Sequence, residues 1–502
     1  MASNNSKTIG VTVTLCGAAA IGVARMFWDG PTGAKAAPAH AGGVTAQHRG
    51  NGGTGDVHRF PPYTPIPTTD PAGIPFNPKP ATPPATTPGA AAPSTTDGAA
   101  TAPATIPTTA PATAPATAPA SGSPSIFEQD RLTGDWLGRR TRMQNAGLNI
   151  DASIITTTGK TLSGGVNTAD SAWGYRFSLG ITADLEKLLD IKGGTAFLNF
   201  RSMDGKRDSL DGAFQVTSLE YSPLRNQISE LWYSQKLLND QLLVKAGKID
   251  ANNDFAFVAN ASEFANSSMS NSLTILGFPT NPDPAMGTDL FFHPNSNLYA
   301  GAGMFDGSLE QGISTGSRGP STLFEHSLFF IGEFGTTWST SAHQDGRLGI
   351  GAWGHTGQFA RYSGGTDDGT AGAYLVLDQT IWRKHPEIDG DTQGVFAYLQ
   401  YGYADPQVSP VQDHFGAGAT WVGLMDWRKN DILGLGATYV EFTNVRSAGY
   451  SGGGELDVEL FYKVVVTPWL SIKPDIQFVR NPGGVRDRPD ALAASIQTTV
   501  TF

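Results

Sequence analysis

The 502-residue chain carries 34 Lys+Arg against 45 Asp+Glu, a formal charge of −11, and one cysteine. Residues before Ile126 hold 20 of the 33 prolines, only five of the aromatic residues and a net charge of +2, which leaves −13 on the remainder. An acidic folded region offers no electrostatic footprint for nucleic acid. With Cys16 as the lone cysteine, disulfides, thiolate metal sites and cysteine nucleophiles are excluded downstream.

The chain opens on "SKTIGVTVTLCGAAAIGVAR", a weakly basic start at Lys7 followed by an apolar run over residues 9–24. That run is short for a membrane span and suits the core of an export signal. Small residues at Ala34 and Ala36, or at Ala39 and Ala41, are cleavage candidates, so residues 1–41 are read as the signal. An uncleaved inner-membrane anchor is the alternative, because Arg25 and "MFWDG" interrupt the usual layout. Residues 42–125 form a Pro-rich linker, "TAPATAPATAPAS" being its purest stretch. Proline at every third or fourth position favours extended polyproline II, and so few large apolar groups cannot offset the entropy of ordering. It reads either as a disordered tail without a partner or as a tether making cell-wall contact through residues 56–125.

From Ile126 onward the pattern changes to period two. In "AWGYRFSLGITADL", Trp173, Tyr175, Phe177, Leu179, Ile181 and Ala183 share one parity, and Gly174, Arg176, Ser178, Gly180, Thr182 and Asp184 the other. Alternation over about ten residues is the length of a tilted strand crossing a bilayer, roughly twice an ordinary soluble strand. "GLNIDASIITT", "ELDVELFYKVVV" and "LSIKPDIQFV" repeat it. Between the last two only "TPW" intervenes, which demands an antiparallel hairpin. "LNDQ" at Asn239 and "HPNSN" at Pro294 are similar short turns, whereas "FDGSLEQGISTGSRGPS" and "RYSGGTDDGT" read as long loops. Short turns alternating with long loops, over a length that accommodates about eight hairpins, predict an all-β fold. It is an antiparallel transmembrane β-barrel of about 16 strands spanning residues 126–502, wide enough for an aqueous channel. A soluble β-sandwich or β-helix is the competing architecture. The final "ALAASIQTTVTF" is predicted to be the closing strand, paired with the first, because open edges do not survive in hydrocarbon.

Three stretches resemble the OprB-type carbohydrate-selective porins of Gram-negative bacteria. "LTGDWLGRRTRMQNAGLNI" from Leu132 resembles the family's opening helix motif, with Leu137 where a glycine is usual. "ISELWYSQKLLNDQLLVKAGKIDANNDFA" from Ile228 resembles the hairpin ending in Gly-Lys/Arg-x-Asp, and "ELFYKVVVTPWLSIKPDIQFVRNPGG" from Glu459 the penultimate hairpin. The resemblance implies outer-membrane localisation, passive substrate-selective diffusion of mono- or oligosaccharides, and an aromatic C-terminus used in assembly. It names no cofactor or metal. General diffusion, or an export barrel of about 12 strands, is the alternative, and the oligomeric state is open between homotrimer and monomer. By capping logic, Thr133 or Asp135 starts a short helix through Met143 and Gly147 ends it. That helix either narrows the inner mouth or merely leads into the barrel.

A lumen that passes neutral polyols needs hydrogen-bonding groups and aromatic faces that bind weakly. Alternation places Arg176, Asn199, Arg201, Glu230, Trp232, Lys245, Asp457, Glu459, Lys473, Asp475 and Gln477 on the lumen parity. Each has a plainer alternative role, pairing with a neighbour to stiffen the wall. "DANNDFAFVANASEFANSSMSNS" alternates weakly and reads equally as an inward constriction or an outer loop. Trp173 and Trp469 are expected in the interfacial aromatic bands. Catalytic motifs are weak. Ser314 in "GISTG" lacks the strand and helix a nucleophile elbow needs. "TTTGKT" falls within a strand, Ser341 and His343 are poorly placed to meet, and "DGDTQG" at Asp389 reads as a cation-attracting loop.

Overall fold

The computed structural model describes residues 125–502, apart from 207–210, 219, 222–223, 324–326, 341–343, 389–390 and 451–452. The export signal, the linker before Ser125, the Ser341/His343 pair and Asp389 lie outside the described residues.

Sixteen strands follow one another as β1 (Leu148–Ser163), β2 (Ala172–Asp184), β3 (Gly194–Lys206), β4 (Arg225–Leu237), β5 (Leu242–Ile249), β6 (Ala285–Phe292), β7 (Leu298–Asp306) and β8 (Leu328–Ser339). The second half comprises β9 (Asp345–Ala360), β10 (Thr366–Arg383), β11 (Gly394–Ala404), β12 (Val411–Val422), β13 (Ile432–Phe442), β14 (Glu455–Thr467), β15 (Leu470–Arg480) and β16 (Ala491–Thr501). Each pairs with its sequence neighbours, and β1 with β16, in one closed barrel. Neither a sandwich nor a β-helix closes this way, and an export barrel of about 12 strands is likewise excluded.

Alternation is what sorts the residues. Leu231, Leu290, Phe334, Ile350, Leu399, Phe415, Leu435, Leu460, Ile476 and Ile496 are exposed on the outer face. Arg176, Asn199, Arg201, Asp457, Glu459 and Lys473, on the other parity, are buried inside. Only a hydrocarbon surround makes such an outer belt stable. At the short-turn end, Trp382 and Trp421 form an edge-to-face pair with centroids 6.2 Å apart. Trp173 is exposed on the outer parity, as expected of a band residue. Trp469 instead sits in the β14–β15 turn and donates from Nε1 to Ile126 O at 2.7 Å, tying down the incoming chain.

Connections alternate as expected, with residues 238–241, 293–297 and 468–469 at one end and 207–224, 250–284 and 307–327 at the other. The tight 238–241 turn needs Leu238, Asn239 and Asp240 all at positive φ. "RYSGGTDDGT" is shorter as a loop than expected, because β10 already begins at Thr366.

Helix α1 (Arg139–Asn145) starts later than capping logic predicted. Trp136, Leu137 and Gly138 all adopt left-handed backbone, which delays the first helical turn. Asp135 still serves that turn, accepting from Thr141 N at 2.8 Å. Gly147, at φ 99°, ends it where a Cβ would meet the Asp184 carbonyl at 3.0 Å. A second helix, α2 (Leu185–Leu189), links β2 to β3, with Asp184 accepting from the Glu186 and Lys187 amides. A third, α3 (Thr315–Arg318), was not expected, and Ser314 stands at its N-terminus. No strand leads into Ser314, which follows a 3₁₀ turn over Ser308–Gln311. The strand–helix frame of an elbow is thus half absent.

The channel and the loop that divides it

Connection 250–284 turns into the barrel rather than away from it. Asp250 and Asn266 start short 3₁₀ turns by accepting from Asn252 N and Ser268 N, so Asx chemistry folds the backbone without a ladder. Its Phe255, Val258, Phe264, Met269, Ile275 and Phe278 are buried in one cluster with wall residues Phe291, Tyr299, Phe329, Trp353, Tyr374, Tyr398 and Phe461. These wall residues belong to β6–β11 and β14, so that side of the lumen is an apolar core rather than a wetted surface. Phe264 packs edge-to-face on Phe461 at 5.1 Å and on Tyr398 at 5.6 Å. Bare backbone makes room for the rings: a Cβ on Gly351 would lie 2.2 Å from Tyr374 Cζ.

The loop's free face is different. Asn253, Phe257, Ala259, Asn260, Ser262 and Glu263 keep exposure, whereas nearly all the rest of 250–284 is buried. Across from them the lumen parity of β14–β16 and β1–β5 carries many polar side chains, Arg176, Asn199, Arg201, Asp457 and Gln477 among them, beside apolar Phe197, Met203 and Phe461.

Candidate residues fall into two clusters on that wall. On β3–β5, Arg201 Nη2 lies 3.9 Å from Glu230 Oε1, and Trp232 Nε1 donates to Glu230 Oε2 at 3.2 Å. Lys245 Nζ sits 4.9 Å over the Trp232 ring and 2.5 Å from Asp254 of the loop. Phe197 lies 5.1 Å from the same indole, so Trp232 is hemmed in by a ring and a cation. Arg201 also reaches Asn281 Oδ1 at 3.0 Å and Asp250 Oδ2 at 3.7 Å, both in the loop. Asn199 donates to Ser178 Oγ at 2.9 Å.

On β14–β15, Asn266 Nδ2 donates to Asp457 Oδ2 at 2.8 Å and Gln477 Oε1 at 3.4 Å, while Gln477 donates to Asp475 Oδ1 at 2.9 Å. Glu459 accepts from Ala265 N and Asn266 N. Lys473 donates to Glu263 O at 2.5 Å, and Lys463 Nζ lies 2.8 Å from Glu263 Oε1. Burial opposes the Glu263 charge, but the Lys463 and Lys473 ammonium groups outweigh it and hold that carboxyl below its usual range. Arg176 stands apart from both clusters and pairs with Glu220 of the 207–224 connection at 3.3 Å.

Sequence parity did not reach the loop partners Glu220, Asp250, Asp254, Glu263 and Asn266, which sit outside any alternating run. It also passed over Glu333, Arg347 and Asp378. Arg347 lies 2.8 Å from Glu333 and 3.6 Å from Asp378 and donates to Phe257 O at 2.7 Å. A single charge among apolar lumen positions was the available signal, for Glu333 follows Phe329 and Ile331 on the same parity.

Comparison with known proteins agrees with this architecture. The family model "Carbohydrate-selective porin, OprB family" matches residues 168–502. Porin B of Pseudomonas aeruginosa is 23% identical over 429 residues, covering 74% of this chain and 91% of that protein. A putative porin, QuiX, of Acinetobacter baylyi is 22% identical over 423 residues, covering 75% and 94%. Among solved structures, Pseudomonas putida OprB at high pH superposes with a TM-score of 0.68 at 19% identity, covering 76% of this chain and all of that one. With the match running through both wall clusters, the inward loop and the closing strand, the chain belongs to the OprB family of carbohydrate-selective porins, channels of the Gram-negative outer membrane.

Proposed function

We propose that sugars cross this barrel through the polar half of the lumen, between the loop face at Asn253–Glu263 and the wall formed by β14–β16 and β1–β5. One observation carries the reading: the cations along that route are paired with carboxylates, while Asp457, Glu459 and Asp475, held by amide and carboxamide donors, leave an excess of acidic groups. Arg201 meets Glu230 and Asp250, Lys245 meets Asp254, Lys463 meets Glu263, and Arg176 meets Glu220. Such a route presents dense hydrogen-bonding capacity with no unpaired cation among these pairs to hold an anion. It suits a neutral polyol, whereas an anion would have to displace a carboxylate to gain a cationic partner.

Arg176, Asn199, Arg201, Asp475 and Gln477 are each at most 4% exposed, because Glu220, Ser178, Asn281 and Asn266 cover them, so they form the wall behind the passage. Glu230, Lys245 and Lys473 are equally buried, so the sequence-predicted positions are proposed to back the wall, and the accessible Asn253, Asn260, Ser262, Glu263 and Lys463 to meet the sugar. Trp232, hemmed in by Phe197 and Lys245, acts by holding the Lys245 and Glu230 heads in place.

Liposome swelling with glucose, a trisaccharide and a charged sugar acid of glucose size tests the proposal. Glucose is expected to enter fastest. Equal rates for glucose and the charged analogue would reject a route that favours the neutral sugar over the anion.

A further inference from the structure

We infer that Asp378 on β10 and Glu459 on β14 are positioning residues that set the width of the passage by pegging the backbone of the dividing loop. The inference rests on the reading that sugars pass along the loop's free face.

Asp378 accepts from two successive amides, Ala259 N at 3.3 Å and Asn260 N at 2.8 Å. Glu459 does the same for Ala265 N at 2.7 Å and Asn266 N at 2.8 Å. Both carboxylates are buried, and charge-assisted bonds of this kind are about twice as strong as neutral ones. The loop has no ladder to satisfy its N–H groups, and a buried amide without a partner is costly, so the pegs decide where the backbone rests. Between them hang residues 261–264. Phe264 is drawn into the apolar half against Phe461 and Tyr398, which turns Ser262 and Glu263 toward the passage. Arg347, 3.6 Å from Asp378, supports the first peg and itself holds Phe257 O. Since all the hydrogen bonds that Asp378 and Glu459 accept from the backbone come from the loop, both act on the sugar through the loop.

The test uses the full chain reconstituted in liposomes, with Cys16→Ser and Ala259→Cys so that a water-soluble maleimide reports on the loop. Asp378→Asn and Glu459→Gln each replace one acceptor oxygen by an NH₂ that faces an N–H. We expect the trisaccharide-to-glucose rate ratio to rise several-fold in either variant and maleimide labelling to quicken by about tenfold. Asp378→Glu, which keeps two acceptor oxygens, is expected to return both readouts to within about twofold of the parent. Heat-modifiable gel mobility reports whether the barrel has assembled. If Glu459→Gln does not assemble, Asp378→Asn decides the question. Parental ratios and labelling rates in assembled carboxamide variants would overturn the inference. Faster labelling in a protein whose parent shows no preference for sugars would support the pegs while removing the carbohydrate route.

Discussion

Arg140 of α1 donates from Nη1 to the main-chain oxygen of Phe502 at 3.0 Å, joining the segment that precedes the first strand to the residue that follows the last. Around it Phe502 N donates to Ala152 O at 2.8 Å and Leu132 N to Thr501 O at 2.9 Å. The guanidinium also stacks 4.3 Å over Trp136 and donates to Thr133 Oγ1 at 3.3 Å. The β1–β16 seam, in register from Ser153↔Thr501 upward, is thereby clasped at its periplasmic end.

Arg140→Ala removes a charged donor that is 6% exposed. A hydrogen bond to a charged group contributes about 1.5–3 kcal/mol. The expected outcome is a lower temperature of conversion from the compact to the unfolded gel band, with the permeation ratio unchanged. Arg140→Lys should recover part of the loss.

Glu333 accepts from Tyr299 OH at 2.6 Å, Tyr374 OH at 2.9 Å, Ala256 N at 3.0 Å and Arg347 Nη2 at 2.8 Å, so every partner is a donor. Glu333→Gln turns one oxygen into a donor against donors. Leaving such a buried group unsatisfied costs about 1–3 kcal/mol, more for charged groups. Thermal scans in detergent are expected to show the drop, and Glu333→Ala a larger one, because Arg347 would then lose its closest carboxylate.

Phe264→Ala should empty the contact between the loop and the β11 and β14 walls. Large-to-small changes of this kind cost about 3–5 kcal/mol. Since the strands are hydrogen-bonded independently of the loop, the barrel is expected to assemble while single-channel conductance rises and becomes noisier. An unchanged conductance trace would mean that the apolar half does not hold the loop.

Glu263 provides the pH dependence. Its folded pKa is depressed by Lys463 and Lys473, so its contribution is present above the ordinary carboxylate value of about 4.3. That contribution is lost as the pH falls through the lower, folded value. The difference in conductance between the parent and Glu263→Gln should therefore persist from neutral pH down to about pH 4.3 and fade below it as the loop is released. Glu263→Gln is expected to show the released level at every pH.

Ile496, at the middle of β16, is 56% exposed on the outer face, and Thr499 of the same strand points inward. An arginine on the lipid face near the midplane costs about 2–4 kcal/mol, whereas lumen changes tune permeation. Ile496→Arg is expected to lower the folding yield in bilayers, and Thr499→Arg to leave it intact while altering ion preference.

Period-two alternation determined the barrel and the inside–outside sense of β1, β2, β14, β15 and β16, and chain length with the spacing of short turns and long loops gave its strand number. It could do so because a strand between oil and water must write both solvents into neighbouring residues. The same regularity put Arg201, Glu230 and Lys245 on the lumen wall. It gave no preference for the direction of residues 250–284, whose Asn, Ser and Phe content suits an outer loop as well as an inner one. The direction is decided by partners remote in sequence. Asp378, Glu459 and Glu333 take the loop's amides, and Phe329, Tyr374 and Phe461 cover its rings. No local pattern encodes hydrogen bonds between residues 77 to 194 positions apart. Closing the barrel is what brings them within reach, and only then does half of the lumen become a core and the other half a channel.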